Sequence, residues 1–386
     1  MGSLRHILSL DDFERAAERH LPGPVYAYVN GGVEDNVSRT ANRAQFDDYA
    51  FLPRMLVSVA NRTLETRLFD RTYAFPFGIA PIGMSALYAY RGDLVLARAA
   101  RELNAAMCMS GSSLIPMEQV AAAAPESWFQ VYLPGNRDQI EALVGRVASA
   151  GFKTLVFTVD CPVPANRENN VRAGFSAPLR PSARLAWSGI THPSWLFGSF
   201  LRTCLQHGMP HFENNFAARG APILSKNVLR DFSDRGNLDW DDWDFVRSMW
   251  KGRLVIKGVL HRDDARMARD RGADGVWVSN HGGRQLDGAV SPLRVLPEIV
   301  EAVPDIPVMV DSGFRRGTDV LKALALGAKF VFLGRSFGYA AAVGGEAGVR
   351  HALDILAHET RTAMAMLGVD QPGKMATHHL RRNQLA

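Results

Sequence analysis

The sequence predicts an α/β chain closed as a (β/α)8 (TIM) barrel, and three observations predict it. Eight short apolar runs, often rich in β-branched residues, recur along the chain. Helix-patterned segments lie between them, the alternation expected of parallel strands buried on both faces. No GxGxxG turn opens the series, whereas an open doubly wound sheet, the competing architecture, usually carries one.

The runs follow in order. FPFGIAP (75–81) leads into the helical pattern GDLVLARAARELN (92–104). AMCMSGS (106–112) and WFQVYL (128–133) follow, the latter with DQIEALVGRVASA (138–150) behind it, and TLVFTVD (154–160) is the fourth. RLVIKGV (253–259) precedes RDDARMARDRG (262–272), GVWVSN (275–280) is sixth, PVMVDSG (307–313) precedes GTDVLKALALG (317–327), and FVFLGR (330–335) closes the set. The rhythm breaks once, between the fourth and fifth runs, where residues 161–252 far exceed one βα connection. The middle of that stretch, LAWSGITHPSWLFGSFL (185–201), is rich in Trp and Phe. A helical start and VYAYVNGGVEDN (25–36) precede the first run. One domain over 1–386 is therefore expected: an N-terminal extension (1–74), the barrel (75–367) with an insertion at about 175–240, and a tail (368–386).

Composition narrows the function classes. With 386 residues, 47% of them hydrophobic, the chain can bury a large core. A net charge of +5 spread among 39 acids lacks the clustered basic and stacking residues of a nucleic-acid surface. Cys108, Cys161 and Cys204 make no disulfide framework, which suits a reducing, cytoplasmic setting. The acids of the first twenty residues argue against a secretory signal, His6 against myristoylation, and no run has the length of a membrane span.

In this fold the chemistry gathers where strands end at their carboxyl side. Those ends read Ala80-Pro81, Ser110, Gln130 with Tyr132, Thr158 with Asp160, Lys257, Ser279 with His281, Asp311, and Gly334-Arg335. DSGFRRG (311–317) and GRSFG (334–338) follow the last two strands, where phosphate is often bound, with Arg315 and Arg335 to add charge. Lys257, buried at a strand end, forms a Schiff base, holds an anion, or pairs with a core carboxylate. His281 is the candidate base, and Asp160 is placed to hold its imidazolium and favour proton uptake. Arg167 and Arg284 supply two forks suited to a carboxylate. No resident metal is expected.

SNHGGRQLDG (279–288) resembles the signature of the FMN-dependent L-2-hydroxy-acid oxidases and dehydrogenases, which include glycolate and lactate oxidases and the flavin lactate and mandelate dehydrogenases. YVNGGVEDN, APIG, WFQVY, TVDCP, VIKGV, DSGFRRGTDVLKALALGA and the final GR match as well, from about Tyr26 to the last helix. The resemblance implies FMN, a small 2-hydroxy acid as substrate, a quinone or O2 as final acceptor, and a homotetramer. It implies that His281, partnered by Asp160, takes the substrate's proton. Arg167, Arg284 and Tyr28 would clamp its carboxylate and Tyr132 would meet its hydroxyl. Lys257 would stabilise negative charge on the flavin, with Ala80, Pro81 and Ile82 running past the ring. Ser110, Gln130, Thr158 and Ser279 would meet the ring's polar edge, and Asp311, Gly313, Arg315, Gly334 and Arg335 the ribityl phosphate. The glycines of the signature would make room for flavin and substrate.

Three departures bear on subtype. Gly83 stands where many oxidases carry alanine, which resembles the dehydrogenases. Ser112 leaves room for a larger substrate side chain, and Asn170 stands where an acid is common. By position, 185–201 resembles the segment that attaches some of these dehydrogenases to a membrane. Trp187, Trp195, Phe197 and Phe200 would enter the lipid beside Arg184 and Arg202, unless the stretch is a lid over the site. A Schiff-base aldolase on Lys257, an O2-using oxidase and a non-catalytic flavin barrel are the competing functions.

Overall fold

A computed structural model describes residues 4–225 and 233–383. Part of the insertion and the extreme termini therefore lie outside the described residues. Short strands β1 (Tyr49–Phe51), β2 (Thr66–Leu68) and β3 (Arg71–Tyr73) come first. Eight more follow: β4 (Phe77–Ile79), β5 (Ala106–Ser110), β6 (Trp128–Val131), β7 (Thr154–Thr158), β8 (Arg253–Val259), β9 (Gly275–Val278), β10 (Val308–Val310) and β11 (Phe330–Leu333). They close into a barrel in which every neighbouring pair is parallel and β11 hydrogen-bonds back to β4. Each falls inside one of the eight apolar runs.

The helices expected after the first, third, fifth and seventh runs form as Gly92–Glu102, Arg137–Ser149, Arg262–Asp270 and Gly317–Ala325. Caps set several starts: the Asn136 side chain accepts from the amides of Asp138 and Gln139, and Asp239 does the same for a helix at Trp240–Met249. The periodicity did not mark the helices Met117–Ala123 or Pro292–Ala302, the second of which carries Pro297 inside it.

The barrel interior is filled, so it is a core and not a pore. Trp128, Trp277, Phe330 and Phe332 pack there with Cys108, Val156, Val255 and Met309. Trp277 stacks on Phe332 with ring centroids 4.0 Å apart. Leu68, Phe69 and Tyr73 of the β2–β3 hairpin join the same cluster and stop the amino-terminal mouth. The extension is also tied down at the far end, where β1 pairs antiparallel with β12 (Leu380–Arg382). Only the carboxyl-terminal mouth remains for a site.

Candidate active site

Strand parity builds the site. Side chains two apart share a face of a strand, so the inward row of each strand can be followed to its end. After Cys108, Trp128, Val156, Val255, Trp277 and Met309 in the core come Ser110, Gln130, Thr158, Lys257, Ser279 and Asp311. One step further stand Tyr132, Asp160 and His281. Apolar rows turn polar together at one rim, and a cavity of about 900 Å3 opens above them.

Most expected residues line this cavity: Tyr28, Ala80, Pro81, Ile82, Gln130, Tyr132, Thr158, Arg167, Lys257, His281, Arg284, Asp311, Gly313, Arg315, Gly334 and Arg335. Ser110, Ser279 and Asp160 do not; they form a layer behind it. Ser110 Oγ donates to Gln130 Oε1 at 3.2 Å. Ser279 Oγ accepts from Lys257 Nζ at 2.9 Å and donates to Asp311 Oδ1 at 2.6 Å. These two serines orient Gln130, Lys257 and Asp311, which do line the cavity.

His281 begins a left-handed turn with φ of +58°, followed by Gly282 at +69° and Gly283 at +71°. Such angles suit glycine, while on His281 they mark a strained backbone held by its surroundings. A Cβ on Gly282 would come within 2.8 Å of Arg335 Nη1, and one on Gly283 within 2.6 Å of the Arg39 amide nitrogen. The glycines thus make room for these two arginine residues, and Gly282 also lines the large cavity.

The turn carries the imidazole into the cavity. Nδ1 lies 2.8 Å from Asp160 Oδ1 and Nε2 lies 3.3 Å from Tyr132 Oη. A proton on Nδ1 given to Asp160 leaves the Nε2 lone pair facing the cavity. Burial pulls the imidazole below its ordinary pKa; Asp160 opposes this without overcoming it, while Lys257 and Arg167 add to it. Burial therefore keeps the ring neutral on balance, while Asp160 favours proton uptake as expected. Burial pushes Asp160 up, but His281 and Lys257 more than offset this and hold its carboxyl below the usual range. Gly258, at φ +105°, sits where β8 bulges after Lys257, and a Cβ there would meet Asp160 at 2.7 Å.

Lys257 Nζ pairs with Asp311 Oδ2 at 3.0 Å and lies 5.3 Å from the centre of the Trp277 ring. Burial lowers its pKa, but Asp311 and Asp160 outweigh burial, so the net shift is upward and the group stays an ammonium. Asp311 is thereby committed to the lysine. It nonetheless lines the large cavity.

The arginines divide into two groups. Arg284 Nη1 donates to Gly31 O at 2.6 Å, and its guanidinium lies 5.2 Å from the centre of the Tyr28 ring, which stacks on Phe175. Arg167 Nε donates to Arg284 O at 3.2 Å, fixing the second fork beside the first. Burial and Arg167 bring Arg284 down to about 10, and burial and Arg284 bring Arg335 down to about 9. Both stay charged at neutral pH, yet neither has an ion pair among the described residues. Arg335 instead donates to the carbonyls of Val29, Gly31 and Gly282. Arg315 is tied to Glu14 at 2.9 Å and Asp11 at 3.3 Å. Gly313 lines the wall, and a Cβ there would strike Asn42 O at 1.9 Å.

The cavity also takes Arg39, Asn42 and Arg43 from a helix at Val37–Ala44, and Arg235 from the insertion. Arg235 Nε donates to Leu133 O at 3.1 Å, and its guanidinium lies 5.1 Å from the centre of the Tyr132 ring. None of these sits in a strand-end pattern, so nothing in the periodicity singled them out. Phe175, Ser176, Ala177 and Arg180 form the outer wall, whereas 185–201 does not line the cavity. Trp195 is only 5% exposed and its Nε1 donates to Leu87 O, and Phe200 stacks against it. Trp187 and Phe197, at 68% and 66%, face outward. Of the four aromatics expected at a lipid or over the site, two are packing residues.

A filled parallel barrel with a buried imidazole, an ion-paired lysine and unneutralised arginines at one mouth defines a barrel with a cavity suited to anionic ligands. Comparison with known proteins gives the class. Residues 17–382 match the FMN-dependent dehydrogenase family, and the chain belongs to that family. It is 41% identical over 362 residues to an L-lactate dehydrogenase of Stenotrophomonas maltophilia, covering 92% of this chain and 94% of that protein. An L-lactate dehydrogenase of Pseudomonas aeruginosa is 39% identical over 378 residues, covering 96% and 97%. Among solved structures, the monotopic membrane protein (S)-mandelate dehydrogenase superposes with a TM-score of 0.88 at 32% identity, covering 98% of this chain and all of that one. A mandelate oxidase variant superposes with a TM-score of 0.81 at 34% identity, covering 98% and 99%.

Proposed function

We propose that the chain oxidises an L-2-hydroxy acid to the 2-oxo acid, with FMN in the large cavity and His281 as the base. The observation that carries this is the Asp160–His281–Tyr132 line, which holds imidazole Nε2 beside the Tyr132 hydroxyl in a cavity that Arg167 and Arg284 also line. The cavity suits the cofactor. Gln130 Nε2 and Thr158 Oγ1 are buried there without hydrogen-bond partners, a cost that a flavin's polar edge would relieve. Arg335, with Arg315 nearby, offers a dianionic phosphate the counter-charge it wants. Bound FMN would supply the redox chemistry, taking up the α-hydrogen together with the two electrons released when the carbinol becomes a carbonyl.

The side chains supply the rest. Arg167 and Arg284 bind the carboxylate and orient the carbinol, which turns encounter into a near-unimolecular step. His281 Nε2 takes the hydroxyl proton, and the resulting imidazolium is stabilised by the Asp160 carboxylate at 2.8 Å. Tyr132, kept a phenol because burial raises its pKa well above the ordinary value, donates to the substrate oxygen. Lys257, held as an ammonium, would stabilise negative charge on a bound flavin. The same charge works against a Schiff-base aldolase, which needs a neutral amine. At Gly83 a Cβ would come 2.9 Å from Tyr28 Oη and 3.2 Å from Ser112 Cβ, so the glycine keeps the carboxylate clamp uncrowded. That, with relatives named as dehydrogenases, favours a dehydrogenase over an oxidase.

The test is an anaerobic visible spectrum. Flavin bands should bleach with L-lactate or (S)-mandelate and not with the opposite enantiomers, and recolour slowly in air. A colourless protein that no added FMN reconstitutes would refute the cofactor, and bands that persist with every acid would refute the activity.

Peripheral membrane contact is part of the same proposal. Among the described residues no helix is long and apolar enough to cross a membrane. Trp187, Ile190, Phe197 and Leu205 are nonetheless exposed on one segment, 183–207, that carries Arg184 and Arg202. Exposed aromatic and aliphatic side chains flanked by arginines suit a lipid interface, and the mandelate dehydrogenase that superposes so closely is a monotopic membrane protein.

A further inference from the structure

Cys161 has no part in the chemistry just described, yet its sulfur touches both members of the proposed base. Sγ lies 3.3 Å from Asp160 Oδ1 and 3.5 Å from His281 Nδ1, while Oδ1 and Nδ1 are 2.8 Å apart. One ligand atom from each residue, a thiol, an imidazole nitrogen and a carboxylate oxygen, falls within 4.8 Å of the others. The second carboxylate oxygen, Asp160 Oδ2, is buried without a hydrogen-bond partner. Cys161 is also reachable, since it lines both the large cavity and a neighbouring one of about 240 Å3.

We propose that Asp160, Cys161 and His281 form a binding site for a soft divalent cation, of which Zn2+ is the probe, and that occupancy switches off the base. The spacing suits it. With bonds of about 2.3 Å to sulfur and about 2.0–2.2 Å to nitrogen and oxygen, tetrahedral ligands lie about 3.6 Å apart when sulfur is one of them and about 3.4 Å apart otherwise. The sulfur contacts are already near those values. Only the Asp160–His281 contact must open, by about half an ångström, with a water completing the set. Thiolate and imidazole select Zn2+ over hard cations such as Mg2+. The nearby ammonium of Lys257 opposes a cation, but Asp311 neutralises it at 3.0 Å.

The consequence for the base follows from proton placement. With the ring proton on Nδ1 given to Asp160, Nε2 keeps its lone pair, beside the Tyr132 hydroxyl. A cation on Nδ1 leaves the neutral ring's proton on Nε2, so the nitrogen facing substrate has no lone pair to give. The thiol loses its proton to solvent, and no electrons are transferred. The inhibitory half rests on His281 being the base; the binding half does not.

Equilibrium dialysis of the flavin-loaded enzyme against Zn2+, with parallel turnover measurements, tests both halves. Wild-type enzyme should bind one more Zn2+ per chain than Cys161→Ala, the variant supplying the background from surface histidines. Zn2+ should inhibit the wild type about tenfold or more strongly than Cys161→Ala, each scaled to its own metal-free rate, and Mg2+ should do neither. The visible flavin spectrum reports that the variant is folded. Identical binding in the two proteins overturns the site, and Zn2+ bound through Cys161 without loss of turnover overturns the switch. Failure of metal-free enzyme to oxidise any 2-hydroxy acid counts against the proposed function instead, and dialysis still decides the site.

Discussion

His281 shows how much a single residue depends on its neighbours. Its imidazole, the proposed base, is kept neutral by burial and is aimed by one bond to Asp160. His281→Gln should keep FMN bound while turnover falls by about 10²–10⁴-fold, the usual contribution of a general base. Steady-state rates and the visible spectrum of the same sample check both halves. Because the native ring's pKa is lowered, the neutral form persists further into acid. The acid limb of kcat/KM should therefore fall below pH 6.5, the ordinary histidine value, and a limb well above it would contradict the stated environment.

Two elements carry consequences beyond packing. The helix Gly92–Glu102 buries Asp93 near its start, where the carboxylate accepts from Ser113 Oγ at 2.6 Å. Burial pushes Asp93 up to about 6 from an ordinary 3.8, despite the bond from Ser113 that lowers it. A carboxyl raised on folding holds its proton longer in the native state, so stability declines as pH rises between those two values. Above that window the charge costs roughly 3 kcal/mol. Asp93→Asn, which keeps an acceptor for Ser113, should raise Tm at pH 8, with the gain shrinking toward pH 5. The segment 183–207 makes the second case. Replacing Trp187, Phe197 and Leu205 together by serine should release the protein from anionic vesicles in a sedimentation assay and leave turnover intact, since none of the three lines the cavity.

At the scale of the molecule, the barrel's filling decides both stability and where chemistry occurs. Phe330 is fully buried between Tyr73 and Phe332, with ring centroids at 5.5 and 5.2 Å. Phe330→Ala should lose about 3–5 kcal/mol in denaturant titration, the range for emptying an aromatic core position, while FMN still binds at the other mouth. The eight strands were legible because each buried parallel strand must be a short apolar run, whatever surrounds it. The polar row at the rim was legible for the same reason: period-two alternation carries Val255 to Lys257 and Trp277 to His281 with no knowledge of neighbours. The helix bearing Arg39, Asn42 and Arg43 was not legible as part of the site, because its place depends on how the extension folds over the mouth. Nor was the choice among partners. The sequence by itself determined strand order, inward parity and the residue types brought to one rim, all local properties of periodicity and side-chain chemistry. Only the closed barrel decided that Asp311 answers Lys257, that Ser110 and Ser279 stand a layer back, that Trp195 turns inward while Trp187 does not, and that Cys161 meets His281. Those contacts join groups far apart in the chain, and their geometry exists only once tertiary packing has set which faces meet.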